Sequence, residues 1–574
     1  MDTNTSLELA PQLSFLVGEC QTPLWKITLT ELLQQQVQLN PSRECIVFPE
    51  YSYRATYSHL YETTIQVAKG LRTIGIGRGD RIGILAGNMP AYVELFFAAS
   101  HVGAAYVVLN TNYTPKELQL ALKHSGCKVV FVATSIGKTP TSGILQMLSS
   151  SMRESELIEL EHVILLKKQE EWKFKTYDQL RDDGSNHPQE DLDSTMKSVT
   201  AGDICNLQFT SGTTGSPKAA MLTHQNLVNN GRFVGDRMRL TSKDIICCPP
   251  PLFHCFGLVL GLLAVISHGG CIVFPSETFQ PPAVLKAVVE ERCTGLHGVP
   301  AMFSAELELA RTLSQQMNFS SLRTGIVAGA PVSRKLMAEL QDKFNMVETT
   351  ITYGMTETSP ASFMSFTDDP IQKRLTTVGK ILPHTKAKIV DKNGKIVPVG
   401  TRGEICVAGF QLQRGYWRDP KQTAEAMHRD DEGCIWMRTG DEGVFDEQGY
   451  CSITGRIKDI IIRGGENIYP LEIEERLAQH KSIVQSSVLG LPHEKYGEVV
   501  GAFLQPRLSE VRPSAKHLKE FVRQTLGWHK APEHIFWLEA GEDFPKTGSG
   551  KIQKYILSQR GALKLRQCAR SSSL

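Results

Sequence analysis

Apolar and polar positions alternate with two periods along the first part of the chain. Leu60, Val67, Ala68 and Leu71 fall on one face of a 3.6-residue helix. Short apolar runs follow, at 81–85, 105–109 and 128–132, each bounded by turn residues and suited to buried strands. Helical stretches at 91–102 and 115–124 separate these runs, and an entry helix is predicted over 29–38. Helices alternating with apolar strands predict an α/β fold of layered, mainly parallel sheets.

The pattern changes further on. Residues 180–199 are polar and predict an exposed connecting loop. Thr223 is placed to cap a helix starting at His224. The apolar run 255–266 is shorter than a bilayer requires and predicts a buried helix. Asn393-Gly394 lies between two short runs, the signature of a β-hairpin, and a second hairpin is predicted over 444–453. This switch to antiparallel β predicts a sub-barrel on the large domain. From about 471 onward, helix, strand and helix patterns make a small α+β unit of domain size.

A length of 574 residues implies two or more domains. The composition, 41% hydrophobic and 21% charged, is that of a globular protein. A net charge of +2 gives no basic excess, so no nucleic-acid partner is expected. The 13 cysteines are scattered, without a C-x-x-C pair, which argues against a disulfide framework or a zinc site and fits a reducing compartment. The N-terminus has neither the basic-then-apolar order of a secretory signal nor the basic character of a mitochondrial transit peptide. The last three residues, Ser572-Ser573-Leu574, match the peroxisomal Ser-Lys-Leu address at two positions. A frayed polar tail accounts for them equally well. The expected location is cytosol or peroxisomal matrix, with a peroxisomal import receptor as the partner in the second case.

The chemistry is densest at 204–220. An apolar strand leads into Thr210, Ser211, Gly212, Thr213, Thr214, Gly215, Ser216, Pro217 and Lys218. Glycines let the loop turn its N–H groups toward an anion, hydroxyls donate to phosphate oxygens, and the lysine adds charge. The loop therefore reads as a polyphosphate cradle, although most Gly/Ser/Thr clusters are solvated turns. It is not the P-loop, whose glycines stand four residues apart with the lysine directly after the second. Further on, Tyr353-Gly354-Met355-Thr356-Glu357 ends a β-rich run with an aromatic, a hydroxyl and an acid. Tyr353 can stack on a base, Thr356 can bond an α-phosphate and Glu357 can hold Mg²⁺. Asp441, after Thr439-Gly440, can accept two ribose hydroxyls. His254 stands in a proline-braced turn between Phe253 and Phe256, where a satisfied core histidine is the plain alternative.

The run Thr210–Lys218 resembles the signature of the adenylate-forming superfamily, which includes acyl-CoA synthetases, luciferases and peptide-synthetase adenylation domains. Tyr353–Glu357, the stretch 455–470 and the stretch 544–554 resemble its later motifs in the right order. The overall character is most similar to medium-chain acyl-CoA ligases and fungal secondary-metabolite acyl-CoA ligases. The resemblance implies ATP, Mg²⁺ and coenzyme A as cofactors and a carboxylic acid as substrate. It implies an adenylation domain over 1–457 and a small mobile lid over 458–574, hinged at Lys458. Gly329, Ala330 and Pro331 would line the adenine pocket, with an ordinary strand-to-helix turn as an even alternative. Arg456 would contact ribose or phosphate, Gly464 and Gly465 would let a pantetheine arm pass, and Lys551 would reach the reacting phosphate. Glu357 and Thr210 would bind the metal, and His254 would wall the carboxylate site. Amino-acid adenylation domains generally carry an aspartate near His254; none stands here, which points to a substrate without an α-amino group. Met437 stands where the family often has Tyr or Trp, a departure that bears on packing. Two rivals stay open: a module that loads a carrier protein, and a non-catalytic nucleotide-binding scaffold.

Overall fold

A computed structural model describes residues 12–150, 155–210, 218–313, 317–329, 332–507, 510–539, 541–546 and 552–571. Two large sheets form the body. One has seven strands, in the order Lys175–Thr176, His162–Leu165, Val129–Val132, Arg81–Leu85, Ala105–Val108, Ile204–Thr210, Lys218–Thr223; only the last pairing is antiparallel. The other has nine strands, with a parallel centre from Glu44–Phe48 to Glu348–Gly354 and antiparallel strands at both edges.

The sheets share one apolar core. Ile82, Ile84 and Val107 from the first meet Ile46, Ile246 and Ile272 from the second. The helix Pro90–His101 runs through this core and is buried at every position after its first. Its faces are mostly apolar, and its one acid, Glu94, accepts from the Tyr53 and Tyr177 hydroxyls, so the helix can sit inside. The predicted helix over 255–266 is also buried, but its first part, Phe256–Leu263, is a π-helix that continues as α over Ala264–Ile266. Wide turns of this kind often mark functional sites.

The change to antiparallel β is present. Six strands, among them Thr385–Val390, Gly403–Gly409, Ile435–Phe445 and Cys451–Arg456, make the expected sub-barrel. Both predicted hairpins form: Gly394 takes the left-handed conformation at φ +80°, and Phe445 pairs with Cys451. A separate five-stranded sheet, built from Ile461–Arg463, Glu466–Ile468, Ile483–His493, Gly497–Pro506 and His534–Trp537, gathers its own core of Ile473, Val488, Val500 and Leu518. It meets the sub-barrel through Tyr469, whose hydroxyl donates to Glu442 at 3.1 Å, and through Arg402, which lies 3.6 Å from Glu472.

One expectation needs correcting. Residues 180–199 are not a loop: the helices Tyr177–Gly184 and Gln189–Ser198 occupy most of them. Few apolar side chains were needed. Leu180 and Leu192 are buried, Gly184 comes close to the backbone of Gly70, and Arg72 pairs with Asp191. Tertiary contacts thus set the conformation where the local pattern was too polar to show it.

Candidate active site

Three sheets supply the expected site residues. The strand Ile204–Thr210 ends at the expected cradle, and Thr210 pairs in register with Lys218 on the returning strand. Residues Ser211, Gly212, Thr213, Thr214, Gly215, Ser216 and Pro217 lie outside the described residues, as do Ala330, Pro331 and Lys551. Lys218 is positioned by its own strand, with its ammonium 5.2 Å from the centre of the Tyr416 ring.

Glu357 follows the strand Glu348–Gly354 in a short 3₁₀ turn, Thr356–Thr358. It is 6% exposed, and its Oε1 accepts from the Tyr416 hydroxyl at 2.9 Å. The neighbouring backbone is fixed too, because the Gln413 N–H donates to the Glu357 carbonyl at 2.9 Å. Lys218, Tyr416 and Glu357 therefore form one line. Burial, and then the Glu357 charge, push the Tyr416 hydroxyl well above its usual range, so it remains a donor. No motif pointed to Tyr416. It sits in a loop between Gly415 and Trp417, far in sequence from both partners.

The second cluster lies where the strand Ile435–Phe445 pairs with Cys451–Arg456. Asp441 is 6% exposed. The Tyr353 hydroxyl donates to its Oδ2 at 2.7 Å, and Arg456 Nε lies 2.7 Å from its Oδ1. The Thr439 hydroxyl accepts from the Asp441 N–H at 3.1 Å and so fixes the backbone. Burial and then the Asp441 charge hold the Tyr353 hydroxyl far above its usual range. Tyr353, expected as a base-stacking ring, thus also orients an acid on a different sheet. Gly354 has a steric reason: a Cβ there would lie 1.8 Å from the Pro360 carbonyl oxygen.

The third part is a small cavity lined by Pro250, Pro251, His254, Phe256, Val299, Met302 and Gly329. His254 is the one titratable side chain among the described residues of that lining. Its Nδ1 accepts from the Phe256 N–H at 3.1 Å, which holds the ring at the mouth of the π-helix. Gly329 reaches the cavity at the end of the strand Thr324–Ala328. His224 has its described partner elsewhere. It is buried, its Nδ1 accepts from the Leu29 N–H at 3.2 Å, and burial lowers its pKa to about 4. It joins two helix starts.

The remaining expected residues lie toward the small sheet. Lys458 sits in the turn Ile457–Asp459, and its pKa is lowered, first by burial, with Asp459 opposing and the nearby Arg456 adding to the shift. Gly464 and Gly465 make the turn between two strands at φ +59° and +91°, where side chains are strained, and the Gly464 N–H donates to Tyr496.

The model of the AMP-binding enzyme family matches residues 33–417, and that of the AMP-binding enzyme C-terminal domain matches residues 472–551. The chain belongs to the AMP-binding enzyme family. It is 53% identical to the acyl-CoA ligase sidI of Aspergillus fumigatus, over 98% of this chain and 96% of that one. It is 36% identical to the mitochondrial medium-chain acyl-CoA ligase ACSF2 of Danio rerio, over 95% and 90% of the two chains. Among solved structures, ATP-bound MatB from Rhodopseudomonas palustris aligns with a TM-score of 0.78 at 28% identity, covering 93% of this chain and 99% of that one. Among the described residues, no helix is long and apolar enough to cross a membrane.

Proposed function

We propose that this member of the AMP-binding enzymes is an ATP-dependent acyl-CoA ligase acting on a medium-chain or polyketide-like acid. The observation that carries this reading is the cavity at His254: among the described residues its lining is otherwise apolar and holds no acid to receive an α-ammonium group. A carboxylic acid without an α-amino group fits such a space. The relatives named above, two acyl-CoA ligases, support the same reading.

In this reading the acid enters the cavity with its carboxylate near His254. ATP lies across the cradle, with its ribose hydroxyls on Asp441 and Arg456 and its base beside Tyr353 and the turn at Gly329. The carboxylate oxygen attacks the α-phosphorus and pyrophosphate leaves. Thr356 and Lys551 donate to the charge that builds on the phosphate. Glu357 suits Mg²⁺: a single buried carboxylate, with the Thr210 hydroxyl as the other expected protein ligand, is the small share of ligands that this ion takes from protein beside phosphates. The ion would supply neutralisation of phosphate charge. We further assign 1–457 to adenylation and 458–574 to a lid that turns at Lys458. In its second position the lid withdraws Lys551 and brings the Gly464-Gly465 turn to the acyl adenylate. The CoA thiolate then attacks the acyl carbonyl and AMP leaves. A site closed to water protects the mixed anhydride.

The test is pyrophosphate release with ATP and Mg²⁺ across a panel of carboxylic acids, with and without CoA. Release with one class of acid, accelerated by CoA, is the expected result. Release that ignores CoA but responds to a pantetheinylated carrier protein would replace this reading with the carrier-loading one. A second part of the proposal concerns location. A fluorescent reporter carrying the final dozen residues should collect in peroxisomes if Ser572-Ser573-Leu574 serves as an import signal, and a diffuse reporter removes that part.

A further inference from the structure

The contact between the small sheet and the sub-barrel carries a set of polar and charged side chains. Tyr469 stands just before the helix Pro470–Ala478. Its hydroxyl donates to Glu442 Oε1 at 3.1 Å, and the Thr454 hydroxyl donates to Oε2 of the same acid at 2.5 Å. The Arg402 guanidinium lies 4.6 Å from the centre of the Tyr469 ring and 3.6 Å from Glu472, in the first turn of that helix. Glu475, further along the helix, is near enough to Arg334 for the two charges to act on one another.

These contacts tie together the chain on both sides of the Lys458 turn. Thr454 and Glu442 precede it and Tyr469 follows it. Glu442 also follows Asp441 directly on the strand Ile435–Phe445. The acid that would hold the ribose and the acid that holds the small sheet are thus neighbours. The contact is of a kind that can be broken. The Arg402 and Glu472 side chains are 46% and 29% exposed. Ion pairs that water reaches contribute little, and polar interfaces between units of one chain permit motion. A cation over an aromatic ring and a hydrogen bond to a carboxylate add a modest, specific hold.

We propose that Tyr469, Glu442 and Arg402 form a latch that holds the small unit in its adenylating position, and that the strength of this latch sets the balance between the two half-reactions. This inference rests on the acyl-CoA ligase reading and names positioning residues for it. The exposure of one turn decides which position is latched. Gly464, Gly465, Glu466 and Asn467 are exposed, and the Gly464 N–H donates within the small sheet, to the Tyr496 carbonyl at 2.8 Å. The thioester step needs this turn against the acyl adenylate in a site closed to water. Here it faces solvent, so the bonds of Tyr469 and Arg402 belong to the other position. A bond made in one of two positions shifts the equilibrium toward that position.

The experiment measures each half-reaction separately in the full-length enzyme: acid-dependent pyrophosphate release without CoA, and thioester formation from supplied acyl adenylate and CoA. Tyr469→Phe keeps the ring beside Arg402 and removes the bond to Glu442. Pyrophosphate release should slow by about threefold to tenfold, while thioester formation holds or rises. Arg402→Met keeps an apolar stem over the ring, loses the charge, and should move the two rates in the same sense. A merely structural role would lower both rates together. Equal loss of both, loss of the thioester step alone, or no change in either rate overturns the latch. A second measurement needs no substrate. Trypsin cleavage at Lys458 should quicken by about threefold to tenfold in Tyr469→Phe, because the latch closes the chain around that turn. An unchanged cleavage rate overturns the latch whatever the chemistry. A wild-type enzyme that releases no pyrophosphate with any acid overturns the ligase reading and the latch's role in it. Wild-type release with half-reactions that the variants do not divide overturns the latch alone.

Discussion

The Tyr416 hydroxyl donates to Glu357 Oε1 at 2.9 Å, across 59 positions of sequence. It does so while the Lys218 ammonium faces its ring. Tyr416 has no atom suited to phosphate chemistry of its own beyond that hydroxyl. Its role in the proposed reaction is to fix the acid that would bind Mg²⁺. Tyr416→Phe keeps the ring and its contact with Lys218 and removes one hydrogen bond to a carboxylate, worth about 1.5–3 kcal/mol. The half-saturating Mg²⁺ concentration for pyrophosphate release should rise by about tenfold, by the same energy. Calorimetric binding of ATP should lose its Mg²⁺ dependence in parallel. An unchanged Mg²⁺ requirement in both measurements would show that Glu357 keeps its place without the tyrosine.

Asp441 is held from two sides, by Tyr353 and Arg456. A carboxylate fixed in this way presents its edge without reorganising, which is what a pair of ribose hydroxyls needs. Asp441→Asn changes little in shape but gives up the charge and one acceptor. ATP should bind about tenfold or more weakly. The sharper reading is against 2′,3′-dideoxy-ATP: the wild type should discriminate strongly and the variant hardly at all. Equal discrimination in both proteins would remove Asp441 from the ribose site.

The part of the site that sequence made visible is the part held in short motifs. Thr210 to Lys218 and Tyr353 to Glu357 each place their chemistry within a few residues, so their types and spacing could be read directly. Tyr416 offered no such signal, since its partners lie on a distant strand and a distant turn and its neighbours Gly415 and Trp417 have no ligand chemistry. Glu306, buried in the helix Pro300–Thr312, was hidden for another reason. A glutamate within an amphipathic helix ordinarily reads as its solvated face, and only the burial of that turn shows otherwise. The same limit applies to the fold. Apolar strands such as Val129–Val132 declared themselves, whereas Gln189–Ser198 forms a helix around one buried leucine, Leu192, and an ion pair from Arg72.

The assignment of two half-reactions to two positions of the lid can be divided experimentally. Lys551→Ala should abolish adenylation, measured as acid-dependent pyrophosphate release, and spare thioester formation from supplied acyl adenylate. Lys458 lies in the turn between the sub-barrel and the small sheet. Lys458→Pro fixes φ at that turn and restricts the residue before it. It should spare adenylation and slow the thioester step by tenfold or more, on the order expected when a gating motion limits turnover. Equal loss of both half-reactions in Lys551→Ala, or an unchanged overall rate in Lys458→Pro, would defeat the corresponding role.

Glu306 also makes a prediction about stability that needs no substrate. Its folded pKa is raised to about 8 by burial, whereas an exposed glutamate titrates near 4.3. Between those values the folded protein holds a proton that the unfolded chain has lost, so stability falls as pH rises. The contribution is fully present below the unfolded value and is gone once the pH has passed the folded one. The groups that face the carboxyl do not reverse this sign: burial raises the Cys247 thiol well above its usual range, and it carries no charge in that window. Glu306→Gln cannot ionise and should lose this slope. Thermal or urea unfolding from pH 5 to pH 8 should show the variant gaining on the wild type by up to about 1.4 kcal/mol for each pH unit. Parallel curves for the two proteins would mean that the carboxyl already has a partner in the folded protein.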